Sequence, residues 1–148
     1  MEYKFTTRSV LHQLGVGKSY SGFSYILYAI ELIDRDISFL DGITKILYID
    51  IAKEFQTSHT CVERNIRKVI DVIWNQPEIN KALILKIFGR RFLSRKPSNK
   101  EFLELLYEYI KSHKMLENLL QTEKIICPIS NEVCTAYTKI IEKLIDLK

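Results

Sequence analysis

The chain has 148 residues, enough for one compact domain with a real core, and its 47% hydrophobic and 27% charged residues are typical of a globular rather than a disordered protein. No run approaches about 18 uninterrupted apolar residues, and the first ten residues lack the apolar core of a secretory signal, so we expect a cytoplasmic protein without a transmembrane helix. The three cysteines, Cys61, Cys127 and Cys134, lack CxxC spacing and predict reduced thiols rather than disulfides or a zinc site.

The first forty residues predict two helices. Residues 8–16 have helical apolar spacing, and Gly15 is typical of a helix end. Residues 23–40 predict a longer amphipathic helix, because apolar side chains recur on one face. The GVGKS segment between them has an incomplete GxxxxGK[ST] frame and no preceding strand, so it does not predict a nucleotide-binding loop.

The segment from Ile49 to Trp74 predicts two helices joined by a tight turn. A helical start at residues 43–48 precedes it and is expected to end or bend before Asp50. The first helix is expected to bury one face, formed by Ile51, Ala52 and Phe55. Gln56 occupies the turn position at which helix-turn-helix units prefer glycine.

The second helix of this unit has two different faces. Ser58 is a typical N-cap, and Thr60 with Glu63 forms a capping box that offers a competing start. One stripe is apolar and consists of Val62, Ile66, Val69, Ile70 and Ile73. The opposite face consists of Thr60, Cys61, Arg64, Arg67, Lys68 and Asp71. This arrangement suits a recognition helix in a DNA major groove, and it suits an ordinary pair of packed helices equally well.

The positive charge of the chain is concentrated after this unit. Pro77 is expected to stop the helix, and residues 81–88 predict a short apolar helix that ends at Gly89. The net charge is +4, and residues 86–100 contain six bases and no acid. These bases are Lys86, Arg90, Arg91, Arg95, Lys96 and Lys100. They are expected either to contact DNA phosphates or to form a solvated basic loop.

The C-terminal third predicts two more helices. Ser98 or Asn99 is expected to cap a helix that continues to about Leu120, and the Cys127-Pro128 pair is expected to break the chain. The final helix has apolar residues near a heptad step, namely Val133, Tyr137, Ile140, Leu144 and Leu147. This seam is expected to be covered by the domain or by a second subunit.

Five segments, in order and at matching spacing, resemble the C-terminal DNA-binding domain of the sporulation-initiation response regulator (stage-zero sporulation protein A). They are LHQLGV (11–16), ITKILYIDIAKEF (43–55), VERNIRKVIDVIW (62–74), LKIFG (85–89) and KPSNKEF (96–102). The resemblance runs from Val10 to about His113 and implies an all-helical domain of six helices. It also implies binding to tandem short boxes with a core close to TGTCGAA, with adjacent copies meeting head to tail.

The resemblance assigns DNA contacts to positions in the second helix of the unit. By position, Glu63, Arg64, Arg67 and Lys68 match the family's base and phosphate contacts. Lys68 stands where a histidine is usual, and Cys61 stands where the family has a base-reading arginine. One bidentate contact is worth about 1–3 kcal/mol of discrimination, so the box preferred by this chain is expected to differ.

The resemblance also sets the expected domain organisation. Residues 1–113 are expected to form an all-α helix-turn-helix domain, and residues 114–148 a helical extension. About nine residues precede the resemblance, so we expect no receiver domain and no switching by aspartyl phosphorylation. The extension is expected to support a homodimer or to bind a partner, in place of a receiver.

These observations lead to a stand-alone, sequence-specific regulator of transcription that binds double-stranded DNA. The base-reading residues are predicted to be Ser58, His59, Thr60, Cys61, Glu63, Arg64, Arg67 and Lys68. The phosphate contacts are predicted to be Lys86, Arg90, Arg91, Arg95 and Lys96. The alternative is a protein-interaction module that uses the same fold and its tail to bind another regulator. An enzyme is not expected, because the three histidines lack partners at ligand spacing, and no cofactor or metal site is expected.

Overall fold

A computed structural model describes residues 2–122. Six α-helices lie in this range: α1 (Glu2–Gln13), α2 (Ser21–Arg35), α3 (Tyr48–Glu54), α4 (His59–Trp74), α5 (Pro77–Phe88) and α6 (Asn99–Thr122). Shorter helical turns are the 3₁₀ segments Ile37–Leu40 and Arg90–Leu93 and the π-helix Ile43–Leu47. No β-strand occurs between residues 2 and 122, which confirms the all-α fold class.

One compact unit ends at Ile110, within α6, and contains a single hydrophobic core. The chain from Lys111 onward belongs to a second unit, whose described part is the rest of α6. The predicted break at Cys127-Pro128 and the predicted final helix from Val133 to Leu147 lie outside the described residues.

The first helix is longer than the sequence pattern predicts, since it begins at Glu2 rather than near residue 8. It ends as predicted at Gly15, which has a φ of +80°. The amide of Gly15 donates to the carbonyl of His12, and the amide of Val16 donates to the carbonyl of Leu11. This pair of hydrogen bonds is a Schellman motif, and the left-handed conformation at its centre favours glycine.

The predicted helix over residues 23–40 is divided in two. Asp36 adopts an extended backbone conformation, and its carboxylate accepts a hydrogen bond of 2.9 Å from the amide of Ser38. This contact caps the 3₁₀ segment that follows α2, since a short polar side chain competes with the helix for the backbone. The end of α2 at Arg35 leaves Ile37 outside the apolar stripe, and Ile37 is 58% exposed. The sequence pattern places Ile37 on the apolar face of the predicted helix over residues 23–40, and that placement was wrong.

Helices α2 and α4 cross closely at Gly22, near the start of α2. A β-carbon at Gly22 would overlap the backbone carbonyl of Asn65 and approach Cγ2 of Val69 to 2.8 Å. Only a residue without a side chain fits here, so Gly22 has a packing role that the sequence pattern did not reveal. The start of α2 therefore packs directly against the middle of α4.

The remaining elements complete the core. Helix α5 begins at Pro77, a favoured first helical residue, rather than at residue 81 as predicted. Trp74, Phe88 and Phe102 form an aromatic cluster in which the Phe88 and Phe102 rings stack at 5.2 Å between centroids. This cluster joins α4, α5 and α6. None of the helices between residues 2 and 122 is both long and apolar enough to cross a bilayer.

Candidate nucleic-acid interface

Helices α3 and α4 are joined by a turn built on Gln56, as the helix-turn-helix prediction requires. Gln56 has a φ of +51°, the only positive φ at a non-glycine residue between 2 and 122. The amide of Gln56 donates to the carbonyl of Lys53, and the amide of Thr57 donates to that of Ala52. These bonds form a Schellman motif, and the position that prefers glycine in such units is the strained one.

The predicted burial of the first helix is correct at two of its three positions. Ile51 and Ala52 are buried, whereas Phe55 is 37% exposed. Phe55 is the C-cap residue that follows α3, and its ring lies against those of Tyr25 and Tyr28, at centroid distances of 4.9 and 5.9 Å. It therefore covers α2 at the edge of the core instead of entering it.

Helix α4 begins where the N-cap prediction places it. The hydroxyl of Ser58 accepts a hydrogen bond of 3.1 Å from the amide of Cys61. Thr60 is not the N-cap of α4, because it already lies inside the helix. Its hydroxyl lies 3.0 Å from that of Ser58. The first turn of α4 is therefore stabilised by a side-chain cap on the surface.

The two faces of α4 are separated as predicted. The apolar stripe is fully buried, at Val62, Ile66, Val69, Ile70 and Ile73. All but one of the predicted base-reading residues are exposed, and the exception is Cys61. The exposed ones are Ser58, His59, Thr60, Glu63, Arg64, Arg67 and Lys68. We call this exposed side the outer face of α4. It is a continuous polar surface that starts at the N-terminus of the helix.

Cys61 differs from its neighbours because it is half-buried. Its carbonyl accepts a hydrogen bond of 2.8 Å from Nδ2 of Asn65, and its sulfur lies 3.2 Å from the same nitrogen. The thiol therefore faces along the helix towards Asn65. No group of three or more potential metal ligands occurs among residues 2–122, so His59 and Cys61 do not belong to such a cluster there.

The loop before α6 lies against the outer face of α4. Nη1 of Arg67 donates a hydrogen bond of 2.9 Å to the carbonyl of Pro97, and Nζ of Lys96 lies 2.9 Å from Oδ1 of Asp71. At the end of α4, the indole NH of Trp74 donates to the carbonyl of Phe92 at 2.7 Å. Successive turns of α4 thus contact successive parts of the basic segment, which we define as residues 86–100.

The bases of the basic segment have different surroundings. Arg90 and Arg91 are exposed and form no ion pair with any residue that the structure describes. Lys86 is half-buried on α5. Arg95, by contrast, forms two hydrogen bonds with the carboxylate of Glu101, at 3.2 and 2.7 Å. The segment therefore carries less uncompensated charge than its sequence suggests.

Glu101 connects the basic segment to the start of α6. Its carboxylate accepts from the amide of Ser98 at 2.8 Å, and the hydroxyl of Ser98 accepts from the amide of Glu101 at 3.2 Å. This reciprocal arrangement is a capping box and identifies Ser98 as the N-cap. Hydrogen bonds from Arg95 and then from the Ser98 amide lower the pKa of Glu101 to about 2.

Asn99 joins both helices of the helix-turn-helix to α6. Its Nδ2 atom donates to the hydroxyl oxygen of Tyr48 at 2.9 Å and to the carbonyl of Glu63 at 3.1 Å. Asn99 is only 6% exposed, and burial raises the pKa of the Tyr48 hydroxyl. Neither residue was predicted to belong to the site. The S-x-x-E pattern at residues 98–101 would have placed the cap at Ser98 and directed Asn99 into the first turn.

A family model described as "Sporulation initiation factor Spo0A C terminal" matches residues 7–110. The match includes α3, α4, the basic segment and the first half of α6. It covers more than half of the chain and nearly the same residues as the resemblance found from sequence motifs.

Proposed function

The chain belongs to the family of sporulation initiation factor Spo0A C-terminal domains, a DNA-binding family rather than an enzyme family, and we propose that it is a sequence-specific regulator of transcription. In this proposal, α4 enters the major groove with its N-terminal turns against base edges. The observation that carries the proposal is the exposure of Arg64 and Lys68 on the outer face of a helix whose opposite face is completely buried.

The proposed contacts divide into two kinds. Arg64 is the strongest candidate for a base contact, because an exposed guanidinium bonds guanine in a bidentate manner. Arg67 already donates one hydrogen bond to Pro97, which orients the remaining donors of its guanidinium. Arg90 and Arg91 are the strongest candidates for phosphate contacts, and Arg95 and Lys96 would first have to exchange their carboxylate partners.

Fluorescence anisotropy with the 148-residue chain tests this function. A duplex with two tandem TGTCGAA boxes and a scrambled duplex are titrated at two salt concentrations. We expect tighter binding to the boxes and a steep loss of affinity with salt. Arg64→Ala is expected to reduce the preference for the boxes by about tenfold or more, whereas the matched control Lys53→Ala, on α3, is expected to leave it unchanged.

Cys61 provides a second variant and a second candidate function. If α4 reads bases as proposed, Cys61→Arg should increase the preference for TGTCGAA, because it restores the side chain that the family has at this position. The replacement of the family's base-reading arginine by Cys61 also favours an interaction module that does not read bases. Equal affinity for both duplexes, with and without Cys61→Arg, would support that module and contradict sequence-specific binding.

A further inference from the structure

A groove of about 470 Å³ lies beside the outer face of α4, on the side of Glu63 and Arg67. Its walls also include Lys45 from the π-helix, Tyr48 from α3, and the first turn of α6. We call it the α6 groove. Part of its wall belongs to the base-reading set and part to the basic segment, whereas Lys45 and Tyr48 belong to neither.

Basic side chains from three elements line the α6 groove. They are Lys45, Arg67 and Lys100. Two acids are also present, since Asp41 and Glu63 belong to the walls. The nearest opposite charges among them are Lys100 Nζ and Asp41 Oδ1 at 4.0 Å, and the Asp41 side chain is 89% exposed. Such a long surface contact is weak, so Lys100 is available to a stronger anion.

The first turn of α6 adds backbone donors. The capping box satisfies the amides of Ser98 and Glu101, and the amide of Phe102 donates to the carbonyl of Ser98. No described residue accepts from the amides of Asn99 and Lys100. The N-terminus of a 24-residue helix with two remaining amide donors attracts an anion, and a phosphate oxygen is the usual acceptor there.

The side chain of Asn99 lines the α6 groove and makes hydrogen bonds to described residues only through its nitrogen. Its Oδ1 atom is buried and has no hydrogen-bond partner among the described residues, although Nδ2 makes two hydrogen bonds. Because this oxygen is an acceptor, it cannot bond a phosphate oxygen directly, and a water that donates to both atoms would be needed to join them. The Tyr48 hydroxyl accepts from Asn99 and therefore keeps its own proton for donation to another acceptor.

We propose that the α6 groove binds a backbone phosphate of DNA, held by Lys45, Lys100 and the first-turn amides of α6. Phosphates border the major groove on each side of a helix that lies in it, and the α6 groove runs along one side of α4. The inference rests on the proposed function. It adds a phosphate contact that lies outside Arg90 and Arg91 and uses a residue, Lys45, far from the basic segment in sequence.

The test compares the full chain with the double variant Lys45→Gln/Lys100→Gln. Both lysines are exposed, so the variant is expected to fold, and thermal unfolding checks this. Affinity is measured from 50 to 200 mM salt with boxed and scrambled duplexes. Losing one phosphate contact is expected to make the slope of log K against log salt shallower by about 0.9, equally for both duplexes. The matched control Lys18→Gln/Lys53→Gln removes two exposed lysines away from the groove and should keep the slope.

Phosphate ethylation interference identifies the contact directly. We expect one ethylated position per box to weaken binding of the wild-type chain and to have no further effect on the double variant. An unchanged slope and an unchanged interference pattern would overturn the inference. If the wild-type chain prefers the boxes in that experiment, the proposed function stands although the groove assignment fails. If the wild-type chain binds no duplex, the function itself fails.

A third experiment uses inorganic phosphate to distinguish DNA binding from small-anion binding in the α6 groove. In amide NMR spectra of the full chain, the duplex is expected to shift the Asn99 and Lys100 resonances at concentrations where inorganic phosphate does not. Shifts produced by inorganic phosphate, together with a DNA salt slope that the double variant leaves unchanged, would identify a small-anion site instead and overturn the assignment to DNA.

Discussion

The outer face of α4 and the basic segment are both rich in cations, but their cations have different surroundings. Arg64 and Lys68 on α4 project from a helix whose other face is buried, and both are exposed. In the basic segment, Arg95 and Lys96 lie against Glu101 and Asp71. Helical periodicity therefore predicted the accessible side of α4 well, whereas counting bases along residues 86–100 overestimated the charge available to DNA.

The difference has a physical cause. The direction of a helical side chain follows from local geometry, at about 100° per residue, once one stripe is buried. An ion pair depends on which carboxylates the fold brings close, and Asp71 is twenty-five residues away from Lys96 in sequence. Charge in a surface loop is thus a property of the folded neighbourhood.

The largest expected effect tests whether the buried face of α4 stabilises the fold while its outer face does not. Ile66 is completely buried, so Ile66→Ala is expected to lower the free energy of unfolding by about 3 kcal/mol through lost burial and a cavity. Arg64→Ala, two residues earlier on the outer face, is expected to change it by less than about 0.5 kcal/mol. Urea unfolding measures both, and similar losses for the two variants would contradict the separation.

The next effect concerns the turn that connects α3 to α4. Gln56 has a left-handed backbone, so Gln56→Gly is expected to raise the free energy of unfolding by about 1 kcal/mol. Lys53→Gly, within α3, serves as the control and is expected to lower it by a similar amount. A lower thermal midpoint for Gln56→Gly would contradict this prediction. It would show that the Gln56 side chain stabilises the fold by more than its left-handed backbone destabilises it.

A smaller effect compares two arginines of the basic segment. Arg91 is exposed, its guanidinium lies over the Phe92 ring, and it forms no ion pair with a described residue. Arg91→Ala is therefore expected to make the salt slope of DNA binding shallower by about 0.9. Arg95 bonds Glu101, so Arg95→Ala is expected to change this slope less. Anisotropy titrations from 50 to 200 mM salt measure the two slopes. Equal changes would mean that the Arg95–Glu101 pair opens on DNA.

The smallest effect concerns the pH dependence of stability at Glu101. Its pKa is lowered from 4.5 to about 2 in the folded state, so the ionised carboxylate contributes stability above pH 4.5. This contribution is lost as the pH falls through the range from about 4.5 to about 2. Urea unfolding of Glu101→Gln should show a flatter profile there than the wild-type chain. The control Glu108→Gln, an exposed residue on the same helix, should keep the wild-type slope.

The sequence alone determined the features that depend on local geometry. The Ser58 cap, the buried stripe from Val62 to Ile73 and the glycine end of α1 were all predicted, because each requires only a few consecutive residues to agree. The family resemblance, which rests on motifs in order along the sequence, was also confirmed by the family model that matches residues 7–110.

Tertiary structure decided the features that join distant residues. The close approach at Gly22, the pairing of Lys96 with Asp71 and the bridge from Asn99 to Tyr48 depend on how helices pack, which no local pattern encodes. The α6 groove has the same origin, since its lysines lie fifty-five positions apart in the chain. Local hydrogen bonding specifies where helices start and end, and packing then selects which polar groups meet.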